Sequence, residues 1–540
     1  NDNGSTSNTY TITKNSLKTD TLTNIEEIIG TSYDDQMTGA GLSDTFRSGD
    51  GNDTLEGKSG NDTLEGGIGD DVYKVTSYDD GDDLITDSSG SDSIDYSAII
   101  DNTYHLEINL SATSVTVVSN TLVAGKAEIK NSTGVIQQTD TLSGIEHIVG
   151  TSGADTIIGN DSINSFSTGA GKDTVYSGAG ADIINLGTED DKVVFRTISE
   201  SKSDVINGEG GFYDEIDYSA LSTGITVTLN TSTFANVIIS GENDHQIKNI
   251  ENITGSSASD FIVGDTAANT LVGNNGNDTL YGGNDDDKLR GGTGNDLLDG
   301  GDGNDTADYS DATEDLIVDI NDGVHIISTS QGTDTFNSIE GVIGGSGNDK
   351  LTGNTKANTL IGNNGNDILD GAGTSTALAG EYDYLDGGEG KDSVSYKDFT
   401  TAVTINLGLT YGNASDVHNF DAASVKDYQN AGAAGNIRIL NVENLEGGSG
   451  NDIIYGNESN NTLIGRDGTD TFRGAAGNDV IIGGIVLTTD SNGEILTQTD
   501  NYIDTVDYSY LTTDKGIVVN MNITGEDDSV LNKGRVEQDG

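Results

Sequence analysis

Cysteine, proline and tryptophan are absent from all 540 residues, and each absence narrows the reading. Without cysteine there is no disulfide framework and no thiolate to act as nucleophile or metal ligand. Without proline no ladder of paired strands loses an N–H donor, which suits a sheet whose every coil needs its backbone paired. Basic residues are scarce: 25 Lys and Arg stand against 90 Asp and Glu, a net charge of -65. Such a chain repels itself unless cations neutralise it, and nucleic acid is a poor partner for the same reason. No apolar run approaches the roughly 18 residues of a membrane span, so a transmembrane protein is not expected. No leader is visible, since Asn1 begins polar sequence with neither a basic nor an apolar stretch.

Apolar residues make up only 32% of the chain, a composition that by itself reads as disorder. Periodicity argues otherwise. Residues 48–74 contain three copies of a nine-residue unit, G-G-x-G-x-D-x-U-x with small variations, where U is large and apolar. The U positions are Leu55, Leu64 and Tyr73, each two residues after Asp53, Asp62 and Asp71. A period of nine fits neither an amphipathic helix nor a long alternating strand. It fits a coil of tight glycine turns joined by very short strands, each burying one side chain. Glycine permits positive φ and close backbone approach to a ligand. Aspartate supplies the hard oxygen atoms that Ca²⁺ takes together with backbone carbonyls.

The register continues through five tracts. The acidic slot holds Asp35, Asp44, Asp53, Asp62 and Asp71 in the first, and Asp155, Asp173, Asp182 and Asp191 in the second. The third carries Asp260, Asp278, Asp287, Asp296 and Asp305. The fourth has Asp349 and Asp367, then Asp383 and Asp392 after extra residues near Gly371–Ala377. The fifth has Asp452, Asp470 and Asp479 before another insertion around Ile485–Asp500. Two residues ahead of thirteen of these lie Gly51, Gly60, Gly69, Gly171, Gly180, Gly276, Gly294, Gly303, Gly347, Gly365, Gly450, Gly468 and Gly477. All these aspartates and glycines are candidate metal-site residues. In four tracts the second slot is Asn (Asn164, Asn269, Asn358, Asn461), which brings a carbonyl but no charge. Those loops read either as weak calcium sites or, better, as turns braced by the amide.

Upstream of each tract sits Ile-Glu or Val-Glu, with Glu26, Glu146, Glu251, Glu340 and Glu443 one nonad ahead of the first Asp. Each is either a calcium ligand or a polar cap on the stack's end, which repeat proteins must cover. Downstream comes D-x-[IVA]-x-Y-[SK] around Tyr96, Tyr218, Tyr309, Tyr396 and Tyr508. Alternating strands follow: Leu106/Ile108/Leu110, Ile225/Val227/Leu229, Leu316/Val318/Ile320, Val403/Ile405/Leu407 and Ile517/Val519/Met521. The larger repeat is therefore a module of ~90–120 residues. Expected boundaries are 1–97, 98–219, 220–310, 311–397 and 398–509, with 510–540 starting a sixth; both ends read as cut from a longer array.

Catalytic chemistry finds little support. His105, His147, His245, His325 and His418 are in no zinc-ligand spacing and read as scattered surface residues. Ser97, Ser219, Ser310 and Ser509 lack a G-x-S-x-G context, and the neighbouring tyrosines read as caps on the coil. No Walker loop or dinucleotide fingerprint occurs. An enzyme is not expected. The strand segments and the insertions near Thr374 and Thr488 keep a carbohydrate-binding role open, although they carry no aromatic platform.

The nonads, with the I-E-x-[IVL]-x-G-[TSG]-[SG] and D-Y-S signatures, resemble the hemolysin-type (RTX) calcium-binding repeat family of bacteria. The resemblance covers roughly 40–50% of the chain by nonads and nearly all of it by module. It implies an all-β protein: calcium-bound right-handed parallel β-roll tracts, two nonads per 18-residue turn, alternating with extra strand segments. Aspartates 18 apart would then stack about 4.8 Å from one another, with Ca²⁺ between successive loops. One aliphatic per nonad is a thin core against a backbone entropy of about 1–2 kcal/mol per residue, so multiple calcium ions would supply the difference. Such a chain would be unfolded at cytosolic calcium and folded outside the cell. Family members are usually exported by type I secretion through a C-terminal signal, which is not identified here. Because modules fill the chain, the expected function is extracellular and structural at the bacterial cell surface: an S-layer subunit, surface filament or adhesin stalk. Self-association into a lattice or fibre is expected, with cell-surface polysaccharide as a further partner. The alternative is the calcium-dependent secretion and folding region of a larger exoenzyme or cytolysin.

Overall fold

A computed structural model describes residues 9–14, 18–23, 25–117, 120–197, 203–230, 232–239, 242–321, 323–328, 330–371, 383–400, 402–407, 426–429, 433–435, 438–484, 486–489, 495–498, 504–507, 518–520 and 535–537. Tyr508, Ser509, His418, Thr374, Ile517 and Met521 lie outside these residues. Every regular element among the described residues is a β-strand, most of them three residues long. The shortness follows from the nonad, in which glycine loops interrupt each D-x-U-x run before it can extend. The fold is all-β with predominantly parallel pairing, as the family resemblance implies.

The chain divides into two compact units, Asn1–Asn284 and Asp285–Gly540. In the first, alternate nonads build two faces. One face stacks Glu27–Ile29, Thr45–Asp50, Thr63–Ile68 and Leu84–Thr86 in parallel, with Phe46 beside Leu64 and Leu64 beside Ile85. The other stacks Gln36–Thr38, Thr54–Glu56, Val72–Lys74 and Ser93–Asp95, placing Met37, Leu55, Tyr73 and Ile94 in one row. Within a typical D-x-U-x-G run, as in Asp53–Gly57 and Asp62–Gly66, the aspartate, the apolar residue and the glycine are buried, while the residues between them are half-buried. Leu55, Tyr73, Ile94 and Phe166 are at most 0% exposed.

Tracts are joined in an unexpected way. Ser93–Asp95 pairs directly in parallel with His147–Val149, so one face crosses the junction without interruption. On the opposite face a three-stranded antiparallel meander is spliced in. Ile136–Ser143 lies parallel on Leu84–Thr86, the chain folds back through Lys126–Asn131, and Tyr104–Asn109 lies parallel beside Thr156–Ile158. The predicted alternating strand is the last of these, with Leu106 and Ile108 buried.

At the next junction the faces exchange roles. Glu215–Asp217 pairs directly with Asn252–Thr254. The meander, made of Glu242–Lys248, Ala235–Ile239 and Ile225–Thr228, is now inserted between Asp204–Asn207 and Phe261–Val263. The exchange follows from counting: each of these tracts has eight short strands, so its first and last strands lie on opposite faces.

The second unit repeats the plan. Thr306–Asp308 pairs directly with Gly341–Ile343, while Gly332–Asn337 lies on Leu297–Asp302 and folds back on Gly323–Ser328. Ser393–Ser395 likewise pairs with Asn444–Glu446, and Val403–Asn406, antiparallel to Lys426–Gln429, lies beside Ile453–Tyr455. The late insertion contains an antiparallel pair, Val486–Thr489 with Ile495–Gln498.

Each apolar row is one residue wide, so its large members have no substitute. Phe166→Ala is expected to cost about 3–5 kcal/mol by emptying its position between Ile148 and Ile184. Urea unfolding at saturating calcium measures this.

Candidate metal centre

The acidic slot is turned inward. Nineteen of the twenty-one predicted aspartates are buried, and only Asp35 and Asp479 are half-buried. Each carboxylate is held by the turn before it. The Asp35 N–H donates to Asp53 Oδ1 at 2.7 Å, Asp53 N–H to Asp71 Oδ1 at 2.7 Å, and Asp71 N–H to Asp92 Oδ1 at 2.8 Å. The second face has its own ladder, from Asp44 to Asp62 to Asp83 to Asp140. The same steps link Asp155, Asp173, Asp191 and Asp214, then Asp287 with Asp305, Asp349 with Asp367, and Asp452 with Asp470.

Oδ1 is thus satisfied, and Oδ2 divides the ladder in two: in Asp35, Asp44, Asp155, Asp260, Asp349 and Asp452, most of them early in their tracts, it accepts the N–H four residues earlier, whereas in a larger group it has no partner. Oδ2 of Asp53, Asp62, Asp71, Asp173, Asp182, Asp191, Asp214, Asp305, Asp367 and Asp392 is buried and accepts no hydrogen bond. An anionic oxygen removed from water without a partner is costly, and buried charges are ordinarily paired or bound to metal. The first glycine of the motif is shaped by this oxygen: a Cβ on Gly57 would strike Asp62 Oδ2. The glycine two residues before each Asp serves the backbone instead. Ten of the thirteen predicted ones have φ between 98° and 151°. At Gly60 (φ 138°) a Cβ would lie 2.6 Å from the carbonyl carbon of Leu42 in the preceding turn.

Burial lifts four of these carboxyls, with repulsion from neighbouring carboxylates adding to it at Asp62, Asp173 and Asp191. Desolvation, opposed by the backbone N–H, raises Asp62 to about 6, Asp182 to about 7 and Asp191 to about 8. Desolvation with the negative charge of Asp155 raises Asp173 to about 9. Basic side chains are largely committed to outer strand positions: Arg47 pairs with Glu27 and Glu65, Lys192 with Glu215 and Asp217, and Arg290 with Asp308.

Several ladder residues escape the nonad register, including Asp83, Asp92, Asp140, Asp204, Asp214, Asp334 and Asp504. Their turns are longer: 21 residues separate Asp71 from Asp92 and 34 separate Asp470 from Asp504. The signal that all but Asp504 share with the nonads is shorter than the nonad itself, an aspartate two residues before a buried apolar side chain, as in Asp83–Ile85 and Asp204–Ile206.

The glutamates of the Ile-Glu pairs extend the ladder across the junction. Oε2 of Glu146, Glu251, Glu340 and Glu443 accepts the N–H of Asp92, Asp214, Asp305 and Asp392 at 3.0–3.1 Å. The next rung is always the asparagine 18 residues on. Asn269 Nδ2 donates to Glu251 O at 2.8 Å while its Oδ1 takes the Asp265 N–H at 2.8 Å. Asn164, Asn358 and Asn461 repeat the pattern on Glu146, Glu340 and Glu443. Asparagine is therefore the brace, donating where aspartate cannot.

The D-Y-S tyrosines close the other ladder. Tyr96 and Tyr309 are buried, and their hydroxyls donate to Asp140 Oδ2 at 3.2 Å and Asp334 Oδ2 at 2.7 Å. In the second module a histidine stands at that place: the Tyr218 hydroxyl meets His245 Nε2, and Phe195 stacks on the imidazole at 4.8 Å. The expectation of scattered surface histidines is corrected here, because His245 is 2% exposed. Its strand position points into the apolar row of the meander.

A family model, the RTX calcium-binding nonapeptide repeat (4 copies), matches residues 23–55, 38–73, 140–162, 158–193, 254–289, 281–310, 343–374 and 446–481. The five tracts are RTX calcium-binding nonapeptide repeats. No curated protein matches the chain. No helix among the described residues is long and apolar enough to cross a membrane.

Two expectations follow for the RTX ladders. A carboxyl whose pKa is raised on folding stabilises the fold fully below its ordinary value of 3.8, and that contribution disappears as pH rises through the folded value. With folded values from about 6 to about 9, the calcium-depleted chain is expected to keep more strand at pH 5 than at pH 8.5, measured by circular dichroism in chelator. Separately, Asn269→Asp sets a carboxylate oxygen against Glu251 O and is expected to cost about 1–3 kcal/mol in a urea titration at saturating calcium.

Proposed function

We propose that this chain is a calcium-gated structural segment of a secreted bacterial protein, acting at the cell surface as an S-layer subunit, filament or adhesin stalk rather than as an enzyme. The observation that carries the reading is the file of buried Oδ2 atoms without hydrogen-bond partners. An all-oxygen donor set of carboxylates with glycine-rich backbone suits calcium, a hard cation tolerant of irregular coordination. The aspartates of the five tracts and the glycines before them would hold the ions. Calcium supplies positive charge that the basic side chains, which pair mainly with outer carboxylates and reach the ladder at Lys356–Glu340, do not bring to the unpartnered Oδ2 atoms.

In the chain's own terms the ladder prepares the site. Backbone N–H groups fix Oδ1 of each aspartate, so Oδ2 is already oriented when the turn closes. At micromolar calcium the like charges oppose closure and the thin apolar rows do not overcome them. At millimolar calcium, binding to the folded state alone favours folding by mass action at every site. Modules 98–219, 220–310, 311–397 and 398–509 would then act as successive folded segments at the surface. Self-association, and contact with surface polysaccharide, would follow folding.

Circular dichroism during a calcium titration, with sedimentation on the same samples, tests this. The expected result is a coil-to-strand transition at submillimolar to millimolar calcium, reversed by chelator, with assembly appearing only after strand. Asp173→Asn is expected to raise the midpoint and lower bound calcium by about one ion. Strand content or assembly that ignores chelator at neutral pH would sink the proposal.

A further inference from the structure

The first tract ends in a turn three residues longer than the repeat allows. Asp71 and Asp92, successive rungs, are 21 residues apart; the three extra residues fall between Asp71 and Asp83, and Asp87, four residues after Asp83, stands in the slot that Gly57 and Gly66 fill in the repeats. Asp71, Asp87 and Asp92 each place a carboxylate oxygen within 4.8 Å of the others. Asp71 is 0% exposed, and its Oδ2 accepts no hydrogen bond.

The convergence can be located from Gly66. A Cβ on that residue would strike Asp71 Oδ2, Asp87 Oδ2 and the Tyr73 hydroxyl together, so three oxygens from three positions face one point. Tyr73 is buried, accepts the Gly66 N–H at 2.7 Å and directs its hydroxyl to Asp87 Oδ2 at 2.7 Å and Thr86 O at 3.1 Å. Asp87 Oδ1 is fixed by the Ser89 N–H at 3.1 Å, and Asp92 Oδ1 by the Asp71 N–H at 2.8 Å. The group is thus held by backbone on all sides, with its remaining oxygens turned together.

We propose that Asp71, Asp87 and Asp92, with the Tyr73 hydroxyl beside them, form a calcium site completed by an aspartate in a slot that the repeat gives to glycine. Three carboxylates and neutral oxygens, with no nitrogen or sulfur donor, select a hard divalent cation. An ordinary rung offers the cation two successive aspartates; here Asp87 adds a third charge. Affinity for calcium rises with the number of ligand charges and the rigidity of the site. This position therefore fills before the repeats and anchors the end of the first tract. The choice of cation rests on the calcium reading of the repeats, and the experiment below lets the two fail separately.

The test uses the full chain, titrated with calcium in a calorimeter at pH 7.5, with circular dichroism in parallel. The wild-type chain is expected to bind about one equivalent at least roughly tenfold more tightly than the remaining sites. Asp87→Asn, which keeps the acceptor for Ser89, and Asp87→Ala are expected to abolish that first phase. The calcium midpoint of the bulk strand transition should stay within about twofold. An unchanged first phase in Asp87→Asn overturns the site and leaves the repeat reading standing. A first phase that depends on Asp87, in a chain whose repeats bind no calcium, supports the site while ending the repeat reading. Should the Asp87 variants fail to fold, terbium luminescence excited through tyrosine decides. Loss of the emission of the first terbium equivalent in Tyr73→Phe supports the site, and emission equal to wild type overturns it.

Discussion

Carboxylates stacked one turn above another repel, and the remaining structure is arranged around that repulsion. The fold does not spread them apart. It fixes one oxygen to a backbone N–H of the preceding turn, as in Asp173, Asp191 and Asp214, which accept from Asp155, Asp173 and Asp191, and leaves their second oxygen buried without a partner. Fixing the acceptor in this way removes the orientational freedom by which side chains usually avoid one another. Either protons or cations must then occupy the ladder, and the two compete for the same atoms. Elevated carboxyl pKa values and metal affinity are two expressions of one arrangement.

Where the ladder must stop, the sequence changes residue type rather than geometry. At the junctions the rung after each glutamate is asparagine, whose amide supplies the donor that the glutamate carbonyl needs. On the other face the D-Y-S phenol supplies a proton to the second oxygen of Asp140 or Asp334. Both devices satisfy an acceptor without adding positive charge. They separate stretches of ladder with bare oxygens from the meanders, whose cores are apolar: Leu106, Ile108 and Ile129 at one junction, Ile225, Val227 and Val237 at the next.

The nonad period made the aspartate slot and the apolar rows readable before any coordinates, because both depend only on local alternation. The tyrosine caps were legible for the same reason. What escaped was set by distance along the chain. Asp92 and Asp214 lie in turns of irregular length, so a strict count of nine passes over them, although each still precedes a buried isoleucine by two. The glutamates remained ambiguous because their partner is an N–H 35–54 residues away. His245 looked like a surface residue since nothing adjacent to it in sequence reveals that Tyr218 and Phe195 surround it. Direct pairing of Ser93–Asp95 with His147–Val149 likewise has no local signature.

The alternating meanders have a consequence for which changes in length the chain can absorb. A single nonad removed from the second tract would leave every loop and every apolar residue chemically intact. It would also move the 225–247 meander to the same face as the 104–143 one. Removing two nonads would restore the original sides. Within the first unit, then, a change of eighteen residues in the second tract keeps the two meanders on opposite faces, and a change of nine brings them to one face.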